Sequence, residues 1–311
     1  MYSMSGLELK RNARLGDRSP ISEYSYRIRK VLSASELAIV YVARNEQDGT
    51  KCVIKEFCPN GFVYRGKDGV TLYPKAGGSA DKYALLREAF QQEGEVLAGL
   101  NHSGVVRCLA RFEQNKTAYI VMEYCEGVTL DKYIAANRAA VTPQFFYSTM
   151  RSLIDTLMEL HDSGIIHRDL KPGNVMISST GQCKLLDFGS AVVVESNPMK
   201  RPILTTTGYS PLEFYSEQAV LGPESDIYSL AAVFYFCCNG EPPTDVRKRL
   251  FEQRQEVMSK DIKRAWPFLS RAVSQGLVVP AEKRHATLSR FKTAIWLEYW
   301  LKQVYRREYK Y

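Results

Sequence analysis

Strand-like alternation dominates the chain up to about residue 126, and helical spacing dominates after it. Tyr24, Tyr26 and Ile28 alternate with polar residues, and two further runs at 38–43 and 51–57 are separated by the turn Gln47-Asp48-Gly49. That pattern predicts an antiparallel meander. Residues 58–80 are rich in Gly and Pro, and within them 62–64 and 70–73 flank Lys67-Asp68-Gly69, a hairpin signal inside an insert. A helix is predicted over 81–100, where Leu85, Leu86, Ala89, Phe90, Val96, Leu97 and Leu100 recur at roughly helical spacing. Strands near 105–113 and 118–124 complete a unit of five strands and one helix. Residues 1–22 are polar, contain Gly16 and Pro20, show no sustained period, and read as a flexible arm. Beyond Gly127, apolar residues compatible with one buried face occur over 130–137, 143–163, 226–239, 245–258, 266–275 and 288–305, which predicts a larger helical unit.

Composition narrows the class. A chain of 311 residues with 45% apolar content can bury a good core. Its longest wholly apolar run, 230–238, is far short of the ~20 residues that span a bilayer, and the polar start with Lys10 and Arg11 has no signal-peptide core. A cytoplasmic protein without a transmembrane segment is expected. The seven cysteines (Cys52, Cys58, Cys108, Cys125, Cys183, Cys237, Cys238) lack any C-x-x-C pair, which argues against a disulfide framework and a structural zinc site. The net charge of +8 is dispersed along the chain, so no nucleic-acid partner is expected.

The candidate chemistry lies in His167-Arg168-Asp169-Leu170-Lys171-Pro172-Gly173-Asn174, with Asp187-Phe188-Gly189 thirteen residues after the asparagine. Transfer of a γ-phosphoryl group needs a positioned acceptor hydroxyl and neutralised phosphate charge. Asp169 is spaced to accept the hydroxyl proton, Lys171 to face the γ-phosphate, and Asn174 and Asp187 to offer oxygen ligands to hard Mg²⁺. The segment resembles the catalytic core of the protein kinase family, and the resemblance extends over about residues 24–300. It implies an α+β, bilobal fold in which a small β-rich N-lobe (23–126, with the 58–80 insert after the third strand) carries one main helix and a larger α-helical C-lobe (127–311) follows. Together they would form one catalytic domain.

Within that resemblance, Cys52-Val53-Ile54-Lys55 stands where the family has its strand lysine. Lys55 would hold the α- and β-phosphates and pair with Glu93 of the helix, Glu95 being the alternative. Val40, Val53, Met122, Glu123, Cys125 and Met176 correspond to the adenine site, with Met122 to Cys125 as gatekeeper and hinge. The phosphate-covering loop departs from the family: Ser33, Ser35 and Ala38 occupy its three glycine positions, and a Cβ there restricts the loop or raises the cost of closing it. The activation segment runs from Asp187 to Glu213 and carries the candidate phosphosites Ser196, Thr205, Thr206 and Thr207, of which Thr206 is best placed to line the acceptor site. Gly208-Tyr209-Ser210-Pro211-Leu212-Glu213 resembles the family's closing element, with Arg284 as the structural partner of Glu213. Lys171 is similar to serine/threonine kinases, and the combination of Val53-Ile54-Lys55-Glu56-Phe57, Gly208-Tyr209-Ser210-Pro211 and Asp226-Ile227-Tyr228-Ser229 to the bacterial, eukaryotic-like (Hanks-type) class.

The implied activity is phosphorylation of protein serine or threonine, with autophosphorylation. ATP and Mg²⁺ are the implied cofactors, with Mn²⁺ as a substitute, and protein substrates and a separate activator or regulator are the implied partners. Two readings compete with it: a pseudokinase scaffold, suggested by the glycine-free loop, and a small-molecule phosphotransferase of related fold. His102, His161 and His285 read as structural. The aromatic, basic stretch 296–311 reads as a last helix packed on the larger unit, a membrane-surface or partner-docking helix being the alternative.

Overall fold

The computed structural model describes residues 6–16, 25–77, 79–194, 203, 205–216, 219–253 and 258–308. The chain forms two compact units, Met1–Asn101 with Val106–Cys125, and His102–Val105 with Glu126–Tyr311. In the first, β1 (Arg14–Gly16), β2 (Ser25–Ala34), β3 (Ala38–Asn45) and β4 (Lys51–Phe57) precede the hairpin β5 (Val63–Arg65) and β6 (Leu72–Pro74). Helix α1 (Ala80–Gly99), β7 (Cys108–Gln114) and β8 (Thr117–Glu123) follow. Six strands pair antiparallel in the order β1-β2-β3-β4-β8-β7, and β5 with β6 makes a separate ladder. Asn115 and Lys116, with φ of 53° and 60°, close the two-residue hairpin between β7 and β8 in the left-handed geometry that matches strand twist.

The N-terminal segment corrects the expected flexible arm. Leu9 and Leu15 are buried, and β1 adds a sixth strand through Leu15↔Tyr26 and its neighbours. Its strand is three residues long and buries few side chains, so it leaves no period to read. Residues 1–5 and 17–22 of that arm lie outside the described residues. One face of the sheet, with Tyr41, Ile54, Tyr119 and Val121, shares a core with Leu9 and Leu15 of this segment and Val63 and Leu72 of the insert hairpin. The other face carries α1. A Cβ on Gly94 of α1 would meet Ile120 of β8 at 3.4 Å, and Phe90 lies 5.4 Å from Phe57 between ring centroids.

The second unit holds β9 (Val128–Thr129), α2 (Leu130–Ala136), α3 (Pro143–Phe145), α4 (Arg151–Asp162), β10 (Ile165–Ile166), β11 (Val175–Ile177), β12 (Cys183–Leu185) and β13 (Val192–Val193). Helices α5 (Pro223–Asn239), α6 (Val246–Phe251), α7 (Lys260–Ala265), α8 (Pro267–Gly276) and α9 (Leu288–Glu308) complete it. Helix α5 is buried along nearly its whole length, which is why its sequence is apolar all round, and it packs against α8, which packs against α9. The single helix predicted over 143–163 is α3 and α4 joined through a π turn, Phe146–Met150. The helix predicted over 245–258 stops at Phe251, because Gln253 turns left-handed at φ 50°. Helix α7 was not predicted: none of its residues is buried, so it has no apolar period.

Candidate active site

In the first unit, β4 alternates strictly: Cys52, Ile54 and Glu56 are buried, whereas Lys51, Val53 and Lys55 emerge on the opposite face. The register sets Lys55 beside Val40 and Ile120, and Val53 beside Val42 and Met122, so these side chains share one face. Lys55 Nζ donates to both carboxylate oxygens of Glu93, at 2.7 and 2.9 Å. Both side chains are nearly closed to water, with 12% and 3% exposure, which makes the pair far less screened than a surface bridge. Glu95 is instead exposed, 3.9 Å from Arg111. The sequence alternatives Glu93 and Glu95 are thus separated by burial. At the strand end, Glu123 donates its N–H to Arg107 O at 3.0 Å and accepts the Arg107 N–H at 2.9 Å; Met122 is buried and Cys125 half-buried.

The glycine-free loop is a tight β2–β3 connection. Ser35 N–H donates to Ala38 O at 2.9 Å, while Ser35 Oγ accepts from Ala38 N–H at 3.1 Å. No residue from Ser33 to Ala38 adopts the left-handed region. A glycine's backbone freedom is therefore not needed for this turn, and the serine hydroxyl supplies its own closure. Ser33 and Ser35 are exposed, and Ala38 is buried.

In the second unit, Asp169 gathers the remaining groups. Lys171 Nζ lies 2.6 Å from Asp169 Oδ2, and Asn174 Nδ2 donates to Asp169 O at 2.8 Å and Oδ2 at 2.9 Å. Thr206 Oγ1 donates to Asp169 Oδ1 at 2.8 Å, receives Lys171 Nζ at 3.3 Å, and its N–H is held by Ser210 Oγ at 2.8 Å. Because Asn174 spends its amide hydrogens on Asp169, its Oδ1 is left in an accepting role. Asp187 Oδ1 accepts the Gly189 N–H at 3.1 Å. Among the described residues no three His, Cys, Asp or Glu side chains gather into a metal cage. Two oxygen donors fit a Mg²⁺ ion, which keeps waters and phosphate oxygens for its other positions. Met176 pairs with Thr129 in the small sheet of β9, β11 and β12, where Gly127 is held close: a Cβ there would lie 2.2 Å from Ile177 O. Thr205 and Thr207 are exposed, and Ser196 lies outside the described residues.

Two positioning elements were legible only as fold-holding sequence. Asp226, on the first turn of α5 and fully buried, accepts His167 N–H at 2.8 Å and Arg168 N–H at 2.9 Å, with His161 Nε2 2.9 Å away. It holds Arg168 at φ 66°, a left-handed conformation costly for a side-chain-bearing residue. Burial opposes the Asp226 charge, but the His161 ring and the His167 N–H hold its carboxyl below the usual range. Burial likewise pushes the His167 imidazole down, so the ring packed 4.8 Å from Phe188 is neutral. Glu213 is clamped by Arg284, with Nη2 3.0 Å from Oε2, and by Ser225 Oγ at 2.9 Å. The sequence signal for Asp226 is an acidic residue directly before the mostly apolar run 227–238 of that helix.

The sequence and the fold resemble those of known proteins. Residues 35–283 match the protein kinase domain model. The chain is 31% identical over 224 residues to the serine/threonine-protein kinase cds1 of Schizosaccharomyces pombe, covering 70% of this chain and 45% of that protein. It is 29% identical over 257 residues to the serine/threonine-protein kinase pkn2 of Myxococcus xanthus, covering 80% and 28%. Over 160 residues it is 31% identical to the serine/threonine-protein kinase PrkC of Bacillus subtilis, covering 50% and 24%. The chain thus spans less than half the length of these curated relatives. A solved structure described as "PpkA-294 apo form" matches with a TM-score of 0.75 at 25% identity, covering 93% of this chain and 99% of that one. The chain belongs to the protein kinase family, with relatives among its eukaryotic-like serine/threonine members in bacteria.

Proposed function

We propose that this protein transfers the γ-phosphoryl group of Mg·ATP to serine or threonine hydroxyls of proteins, its own chain included. The observation that carries the reading is the cluster around Asp169, in which a carboxylate, a lysine, an amide and a threonine hydroxyl meet within hydrogen-bond distance. Mg·ATP supplies the phosphoryl group and most of the charge neutralisation. Asp169 Oδ1, already receiving a threonine O–H, is the oxygen that would take the acceptor proton. Lys171 balances the carboxylate and offers positive charge to the phosphoryl oxygens in flight. Lys55, kept in place by Glu93, would neutralise the α- and β-phosphates, and Asn174 and Asp187 would hold the metal. Ser33, Ser35, Ala38, Val40, Val53, Met122, Glu123, Cys125 and Met176 would line the nucleotide site. Thr205 and Thr207 are the exposed candidates for phosphorylation, whereas Thr206 is committed to Asp169.

The closed Ser35 turn weakens the argument for a pseudokinase, because the loop reaches a tight hairpin without glycine. Intact mass after incubation with Mg·ATP tests the reading. The parent protein is expected to gain multiples of about 80 Da, the mass of one phosphoryl group, and Asp169→Asn to gain none. A parent that binds ATP and gains no mass, on itself or on an added protein substrate, refutes it.

A further inference from the structure

Glu56 follows Lys55 on β4 and points to the opposite face of the sheet, where it is fully buried. Its carboxylate receives four donors. Tyr41 Oη of β3 lies 2.8 Å from Oε2, Tyr119 Oη of β8 2.9 Å from Oε1, and the Arg65 guanidinium of β5 reaches both oxygens, at 2.7 and 3.0 Å. Arg65 continues outward: Nη1 donates to Val70 O at 2.7 Å and Nε to Leu7 O. Leu9 N–H donates to Tyr41 Oη at 3.0 Å. One buried carboxylate therefore ties β3, β4, β8, the insert hairpin and the N-terminal segment together at the register of Lys55, since Lys55 pairs with Val40 and Ile120, one residue from Ile39↔Glu56↔Tyr119.

We infer that Arg65 is a positioning residue for phosphoryl transfer: through Glu56 it fixes the part of β4 that presents Lys55 to Glu93. The inference rests on the role proposed above for Lys55. A buried ion pair of this kind contributes little stability compared with an apolar replacement of the pair, but removal of one partner strands the other charge. Tyr41 and Tyr119 are pushed above their usual range by burial and by the Glu56 charge, and Cys58 is pushed up to about 12, so Glu56 and Arg65 are the charged groups of this pocket. Without Arg65, Glu56 either takes up a proton in place, which leaves Lys55 where it is, or is rehydrated through a shift of β4 and of the cover above it. The rehydrating shift of β4 is carried to the next residue, Lys55, and is the outcome that the inference requires. With both members replaced by neutral side chains the reason for the shift disappears.

The test compares Arg65→Met, Glu56→Gln/Arg65→Met and the parent well below their Tm values. Loss of folded protein alone lowers the apparent kcat and leaves KM for ATP unchanged. Displacement of Lys55 raises KM for ATP, and kcat/KM is expected to fall at least about tenfold in Arg65→Met and to return to within about threefold of the parent in the double variant. The second readout is the rate at which an amine-acylating reagent modifies Lys55, followed by peptide mass mapping. Lys55 is expected to react faster in Arg65→Met and at the parental rate in the double variant. If Arg65→Met does not fold, Tyr41→Phe and Tyr119→Phe each remove one donor to Glu56 and are expected to raise Lys55 reactivity by a smaller factor. Parental KM and parental Lys55 reactivity in every single variant overturn the inference. The acylation arm requires no catalysis, so an inactive parent refutes the proposed activity while Lys55 reactivity still decides the role of Arg65.

Discussion

Replacing Asp226 by Asn tests how the catalytic loop is held. The carboxylate accepts two backbone N–H groups from the loop and faces the His161 ring, all without solvent. Hydrogen bonds to a charged acceptor contribute about 1.5–3 kcal/mol each. An amide of the same shape turns an NH₂ toward one of those N–H donors, so it loses at least one bond and leaves a buried donor unmet. Removing one member of a buried charged network costs about 3–5 kcal/mol. At about 2–4 °C per kcal/mol for a unit of this size, Tm should fall by roughly 10 °C. Because Arg168 stands in a left-handed conformation that costs about 1–2 kcal/mol, the loop should relax first, and kcat should fall in protein that is still folded. The pH dependence has a defined sign. The folded-state pKa of Asp226 lies below the ordinary aspartate value, so its contribution is present above about pH 4 and is lost as pH falls through the folded value. Denaturant unfolding of parent and variant from about pH 7 down to about pH 2, a range that extends below the ordinary aspartate value, should show a stability gap that narrows on the acid side. A Tm within about 2 °C of the parent, or a gap that does not change with pH, would refute this account.

Two further predictions concern packing and burial. Gly127→Ala should cost about 2–4 kcal/mol, because its Cβ would sit 2.2 Å from Ile177 O, whereas Gly173→Ala, where a Cβ meets nothing within 4 Å, should unfold within about 0.5–1 kcal/mol of the parent in the same denaturant series. Glu298 is buried beside the start of α8, where it accepts Phe268 N–H at 2.8 Å and Leu269 N–H at 2.9 Å, and burial raises its pKa. Its protonated form is thus favoured by folding, so the parent should lose stability as pH rises from the ordinary glutamate value through the raised one. Glu298→Gln should lack that slope, measured by thermal unfolding across pH 4–8, a span of about four units.

The residues of the cluster were legible because the family motif sets particular side chains at short spacing, and a loop of eight residues cannot vary much in how it presents them. Lys55, Glu93, Asp169, Lys171, Asn174 and Thr206 came from motif position, and the contacts of the first two and the last four follow from it. The N-terminal segment was not legible for the opposite reason. Leu9 and Leu15 bury themselves against a sheet whose covered face is assembled from several distant segments, so no local period announces them. Arg65 was hidden for a related cause: a single arginine in a Gly- and Pro-rich insert reads as solvated, and its buried partner, Glu56, reads as one more strand charge until Tyr41 and Tyr119 are known to flank it.

The phosphate loop shows how a departure from a family pattern divides into separable physical effects. Glycine at such positions provides left-handed φ angles and lets the backbone come close to a bound anion. The first effect is irrelevant here, since the Ser33–Ala38 turn contains no residue in that region and Ser35 closes it with its own hydroxyl. The second applies where this loop covers a nucleotide as proposed, because Ser33 and Ser35 carry a Cβ at two of the family's glycine positions. The Ser35 hydroxyl cannot simply offset it by donating to phosphate, because it also donates to Ala38 O at 3.2 Å. The substitutions therefore bear on how closely the loop can cover a nucleotide and leave the fold and the Asp169 cluster untouched. That places any cost in nucleotide affinity, where it is distinct from the capacity to move a proton at Asp169.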